Sequence, residues 1–195
     1  MLYLRNISET FQDFPDNESL AVIAFFYGCS HYCKNCQNKD LQLYQEGLTP
    51  YSLQEVYEAI ISSCERSHTK SIVLSGGDPY CDLIPGVQED MLALISTLEN
   101  EGYEVCVYTG YDIDYVNSLY NPLFYYTSSR SSNPPMPVFW KKPSYVKCGE
   151  YKEDLRDEKM GKYEKEFILA SKNQRFYCRE EDNFIPMSNS NVIEL

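Results

Sequence analysis

What this sequence lacks narrows its function before any motif is read. Its longest apolar run is LAVIAFFY, Leu20 to Tyr27, far short of the ~20 residues that cross a bilayer. The start, MLYLRNISETF, has no basic region followed by a long apolar core, so a cytoplasmic protein with no membrane partner is expected. Positive charge is scarce: 17 Lys and Arg stand against 29 Asp and Glu, a formal net charge of −12. That argues against a general binder of nucleic-acid backbones, which needs a positive surface. A local basic patch around Lys141, Lys142 and Lys147 stays open. Tryptophan occurs once against 18 tyrosines, so much of the aromatic mass carries a hydroxyl. There is no internal repeat and no sign of a second hydrophobic core. At 195 residues the chain suits one domain, 1–195, large enough to bury a sizeable core.

Cysteine is plentiful, with eight copies. Without a secretory signal these read as ligands plus reduced core thiols, not as a disulfide scaffold. Cys64, Cys81, Cys106, Cys148 and Cys178 share no CxxC spacing, which gives little support to a second cysteine-ligated site.

Ala21–Tyr27 is short, apolar and rich in Val22, Ile23, Phe25 and Phe26, as a buried parallel strand requires. Ser52 and Glu55 form a capping-box pair ahead of Leu53, Val56, Tyr57, Ile60 and Ile61, which predicts a helix over 53–65. A strand is expected over Ser71–Ser75, running into GGDP, then a helix over Val87–Asn100 and a strand over Glu104–Tyr108, running into TGYD. A short helix over Asp114–Leu119 and a weaker strand over Leu123–Tyr126 follow. Val138–Trp140 and Tyr145–Cys148 are further strand candidates. The Ser/Pro-rich segment 128–137 and the charged tract around 150–170 read as irregular or inserted. The alternation is βαβ grammar, α/β in class, with a parallel sheet covered by helices. Four to six such units do not close an eight-stranded barrel, so a partial (β/α) barrel, open on one side, is expected.

The stretch GCSHYCKNCQNK holds Cys29, Cys33 and Cys36 with three and then two residues between them. A compact loop can turn all three sulfurs toward one centre. Iron–sulfur clusters take cysteine thiolates, and a cubane held by three leaves one iron open. Structural zinc normally takes four protein ligands; His31 is the nearest fourth, awkwardly placed between two of the cysteines, and a remote cysteine would also serve.

The CxxxCxxC spacing resembles the signature of the radical S-adenosylmethionine (SAM) enzymes. The longer pattern, Gly28, Cys29, His31, Cys33, Cys36 and Asn38, resembles one branch, the activating enzymes of anaerobic ribonucleoside-triphosphate reductase. Leu74-Ser75-Gly76-Gly77-Asp78-Pro79 and Tyr108-Thr109-Gly110-Tyr111 resemble two further landmarks of that branch, each directly after a predicted strand. Cys148-Gly149-Glu150-Tyr151 with Leu155-Arg156-Asp157, and Ser171 with Asn173-Gln174-Arg175, resemble two late ones. Cys148 departs from the usual aspartate and Ala170 from the frequent glycine.

The resemblance implies a single SAM-radical domain with a [4Fe-4S] cluster on Cys29, Cys33 and Cys36. It implies SAM held by Gly76, Gly77, Asp78 and Pro79, with Thr109 and Asn38 as polar contacts. The reduced cluster would cleave SAM to methionine and a 5′-deoxyadenosyl radical. That radical would take hydrogen from a glycine near the carboxyl terminus of the large reductase subunit, leaving a glycyl radical. The partners implied are that subunit and an electron donor such as flavodoxin or ferredoxin. No side-chain acid or base is required. Two rivals remain: a SAM-radical enzyme with another protein or small-molecule target, and a zinc-stabilised binding module without activity.

Overall fold

The computed structural model describes residues 1–15, 20–43, 47–121, 139–156 and 169–187. Among these residues there are seven strands: β1 (Leu4–Thr10), β2 (Ala21–Phe26), β3 (Ser71–Gly76), β4 (Glu104–Tyr108), β5 (Tyr145–Cys148), β6 (Arg175–Glu180) and β7 (Asn183–Pro186). Helices α1 (Leu53–Arg66), α2 (Val87–Asn100) and α3 (Ile113–Leu119) interrupt them. All seven strands form one sheet in sequence order, with β1 and β7 at its two ends. The centre, β2 through β5, is parallel; β1, β6 and β7 add antiparallel flanks. The result is an open mixed α/β sheet, not a closed barrel.

The sequence explains the central part directly. β3 buries all six residues of SIVLSG, as expected of a parallel strand covered on both faces. The Ser52–Glu55 capping box forms at the start of α1, and Val56, Ile60 and Cys64 make its buried stripe. On α2, Leu94, Ile95 and Leu98 are fully buried, each worth roughly 1.5–3 kcal/mol in transfer terms. Crossovers of one hand that always advance in the same direction lay their helices on the same face of a sheet. Accordingly, the larger apolar cluster holds residues of all three helices. The smaller one, on Ala21, Ile23, Val73, Cys106 and Phe176, holds none among the described residues. That second face is free to line a cavity.

Several expectations need amending. β1, β6 and β7 were not predicted: LRNISET buries none of its seven residues, and the other two strands bury one each. Of the strand expected over Val138–Trp140, Val138 lies outside the described residues and Phe139 and Trp140 are not in a strand; the next amide, on Lys141, donates to the Ser96 hydroxyl at 3.0 Å. The expected strand at 123–126 and the segment 128–137 lie outside the described residues, as does 157–168 of the charged tract. Among the described residues, no helix is long and apolar enough to cross a membrane.

Candidate iron–sulfur site

In a parallel sheet the carboxyl ends of the strands share one edge, where ligand sites gather. Four loops meet there: Gly28–Asn38 after β2, Gly77–Pro79 after β3, Thr109–Tyr111 after β4 and Gly149–Tyr151 after β5. Backbone hydrogen bonds tie them together. Gly77 N–H donates to Phe26 O at 2.8 Å, Asp78 N–H to Gly28 O at 2.6 Å, and Gly149 N–H to Tyr111 O at 3.1 Å. Glycine is required at Gly77, where a Cβ would overlap the Gly28 carbonyl oxygen and sit 2.8 Å from Leu41 O. At Gly76 a Cβ would strike the Phe26 backbone, and its φ of +113° is foreign to other residues.

The loops enclose a cavity of about 330 Å³. Cys29, Cys33, Cys36, Asn38, Gly76, Gly77, Asp78 and Thr109 all line it; Pro79 is buried behind. The cysteine loop curls because Tyr32 (φ +50°) and Asn35 (φ +57°) adopt left-handed backbone. Cys29 is buried, and Cys33 and Cys36 are partly so. Burial pushes the Cys29 thiol up to about 12 and raises Cys33 as well. Without metal these two thiols are protonated at neutral pH, and iron would have to displace their protons. Among the described residues, no three His, Cys, Asp or Glu side chains already converge on a single ion. A cluster does not need that convergence, since each thiolate meets its own iron. Three thiols on the wall of one cavity fit such a group.

Asp78 and Thr109 face each other. The Thr109 hydroxyl donates to both Asp78 oxygens at 2.9 Å, Gly110 N–H donates to Oδ2 at 2.8 Å, and Tyr80 N–H donates to Oδ1 at 3.0 Å. His31 Nε2 lies 2.8 Å from Asp78 Oδ2, and its Nδ1 lies 3.2 Å from Glu150 Oε1. Burial lowers the affinity of His31 for a proton, but the hydrogen bond and charge of Asp78, helped by Glu150, outweigh it and raise the pKa. Asn38 Nδ2 donates to Gly76 O at 2.9 Å, fastening the far end of the cysteine loop to β3.

Sequence reasoning overlooked other parts of the wall. Lys147 belongs to no surface patch: it is 7% exposed, lines the cavity and lies 4.1 Å over the Tyr108 ring. Burial lowers its pKa to about 8, against the pull of Asp13. Lys141 instead reaches Glu99 O, and Lys142 reaches Asn117 and Asp182. Gln174 lines the cavity while bonding Gly149 O and the amides of Ala170 and Ser171. The signal for Lys147 was present, since a strict two-residue period through Tyr145–Cys148 puts it on the face of Tyr145.

Comparison with known proteins gives the family. The model of a family described as "4Fe-4S single cluster domain" matches residues 18–127, more than half of the chain. The chain belongs to that family. Anaerobic ribonucleoside-triphosphate reductase-activating proteins of Salmonella typhimurium and Salmonella typhi are each 37% identical over 98 residues. The match covers 48% of this chain and spans about 60% of the length of those relatives. The crystal structure of QueE from Escherichia coli is similar at a TM-score of 0.40 and 19% identity, over 56% of this chain and 52% of that one; so slight a likeness carries no structural weight.

Proposed function

We propose that this iron–sulfur protein is a SAM-radical activase whose substrate is a glycine in the large subunit of an anaerobic ribonucleoside-triphosphate reductase. The observation that carries the reading is the shared cavity. Three thiols and the Gly76–Gly77 backbone line one space at the carboxyl edge of a parallel sheet. The 37% identity to proteins named as activators of that reductase supports the partner.

In this reading Cys29, Cys33 and Cys36 hold a [4Fe-4S] cluster. Gly76 and Gly77 bring main chain close to the methionine end of SAM, since no side chain intervenes. Asn38, Asp78, Pro79 and Thr109 shape that segment. Held by Cys29, Cys33 and Cys36, the cluster would supply one-electron reduction of SAM bound beside it. The chain itself binds, orients and shields; the cofactor carries the hard chemistry. The open sheet is one arc of a partial barrel, a single domain over 1–195, and its unclosed side admits a peptide segment. An electron donor such as flavodoxin or ferredoxin completes the system, in the cytoplasm.

The test is anaerobic reconstitution with iron and sulfide, addition of SAM and a strong reductant, and quantification of 5′-deoxyadenosine. Wild type is expected to form it, and Cys29→Ala, Cys33→Ala and Cys36→Ala are each expected to abolish it. Adding the large reductase subunit is expected to give a glycyl-radical signal in electron paramagnetic resonance. No product from protein with an intact cluster would overturn the reading, and bound zinc in place of iron would replace it with the binding module.

A further inference from the structure

Asp78 follows the two glycines and lines the cavity, so its sequence position suggests an acidic contact for a ligand's ammonium group. Its geometry says otherwise. A carboxylate offers about four lone-pair sites, and Asp78 already has four donors, one of which, the Thr109 hydroxyl, spans both oxygens. Oδ1 takes Tyr80 N–H and the Thr109 hydroxyl. Oδ2 takes the same hydroxyl, Gly110 N–H and His31 Nε2. The side chain is 1% exposed. An incoming ammonium would have to displace one of these donors from a site that water barely reaches.

The donors come from separate loops. Thr109 and Gly110 belong to the loop after β4, and His31 sits between Cys29 and Cys33. His31 continues the chain through Glu150 in the loop after β5, and its ring meets Tyr111 edge-on with centroids 4.5 Å apart. At Gly110 a Cβ would run into the His31 ring, so the imidazole is seated against main chain. Buried networks that are fully satisfied fix one arrangement of the elements they join.

Resting on the iron–sulfur reading above, we propose that His31 and Asp78 form a positioning clamp that fixes the cysteine loop against the β3 and β4 loops. Asp78 therefore acts on the cluster through His31 and makes no contact with a bound ligand. The ammonium of SAM is left to the main chain of Gly76 and Gly77. Groups hydrogen-bonded to a metal ligand typically govern affinity by about 10–100-fold. The His31 ring bonds Asp78 and Glu150 and acts one step further back, on the loop two residues from each of two ligand cysteines, so a smaller effect is expected.

The test uses the full chain reconstituted with iron and sulfide, in the absence of SAM. Wild type, His31→Phe, Asp78→Asn and the double variant are compared by the rate of iron release to a chelator and by the resonance spectrum of the reduced cluster. Each single variant is expected to release iron about 3–10-fold faster, below the 10–100-fold of a group bonded to a ligand itself, with shifted g-values. The double variant should be no faster than the faster single, because both changes remove the same bond. Thr109→Val, which deletes one donor at nearly constant volume, should move in the same direction by less. Single variants within about twofold of wild type would overturn the clamp, as would rates that multiply in the double variant. A wild-type protein that takes up no iron would sink the iron–sulfur reading instead. The clamp is then decided by the same four-protein cycle read as urea midpoints of the metal-free chain. A double variant no less stable than the weaker single supports it, and additive losses overturn it.

Discussion

Replacing Gly77 by alanine tests the claim that the site depends on main chain touching main chain. The added methyl would overlap the Gly28 carbonyl oxygen and lie 2.7 Å from the Gly28 carbonyl carbon and 2.8 Å from Leu41 O. All three are backbone atoms that no rotamer change can move. Overpacking of this kind costs about 1–3 kcal/mol. Relief requires the β3 loop to part from the cysteine loop. That strains the hydrogen bonds Gly77 N–H to Phe26 O and Asp78 N–H to Gly28 O, each worth about 1 kcal/mol net. The sum, about 3–5 kcal/mol, is a large share of the 5–15 kcal/mol typical of a folded domain. Gly86→Ala is the control. Its φ is +86° but nothing lies within 4 Å of the new methyl, so it carries only the left-handed penalty of about 1–2 kcal/mol. Urea unfolding of the reduced, metal-free protein should show the Gly77 variant losing roughly 2 M in midpoint, and the Gly86 variant less than half of that. Equal losses, or a Gly77 variant within 0.5 kcal/mol of wild type on the scale of neutral surface changes, would refute the close-approach argument.

Glu99 is 4% exposed and accepts from Val105 N, Ser144 N and the Ser144 hydroxyl while pairing with Arg179 at 2.7 Å. Breaking such a buried pair costs about 3–5 kcal/mol, so Glu99→Gln should lower the urea midpoint sharply; a loss below about 1 kcal/mol, the scale of an exposed pair, would contradict the network. Ser52→Ala removes the side chain that caps α1 and should cost about 1 kcal/mol, read by thermal unfolding, with no change in iron content after reconstitution.

The centre of the fold was legible because burial on both faces leaves little freedom in composition. Ala21–Phe26, Ser71–Gly76 and Glu104–Tyr108 had to be apolar, and their ends were marked by Gly28, the Gly76–Gly77 pair and Gly110. The flanking strands were not legible for the opposite reason. LRNISET and RFYCRE pair with one neighbour or lie half exposed, so a mixed composition suffices there and no two-residue period emerges. At the site, spacing and order brought Cys29, Cys33, Cys36, Gly76 and Gly77 to notice. What a one-dimensional pattern does not contain is the direction of a carboxylate. Asp78 faces back into the protein toward His31 and Thr109, and only the strand register reveals that. Lys147 was misread for a related reason: as a letter it resembles Lys141 and Lys142, while β5 turns it to the opposite side.

These observations separate two kinds of order in the site. The backbone is set in advance: Gly77 N–H, Asp78 N–H and Asn38 Nδ2 lock the β2 and β3 loops before any metal arrives, and the Asp78 carboxylate is already saturated. The thiols are not set in this sense. Burial holds Cys29 and Cys33 protonated, and they become ligands only as iron takes the place of their protons. A site prepared in this way spends its hydrogen bonds on shape and leaves charge to be supplied by the metal. Substitutions in the hydrogen-bonded frame should therefore weaken the metal-free and metal-loaded protein alike. Substitutions of the cysteines should change the metal-free fold little, since a protonated buried thiol packs as a small apolar side chain, and appear only once iron is offered.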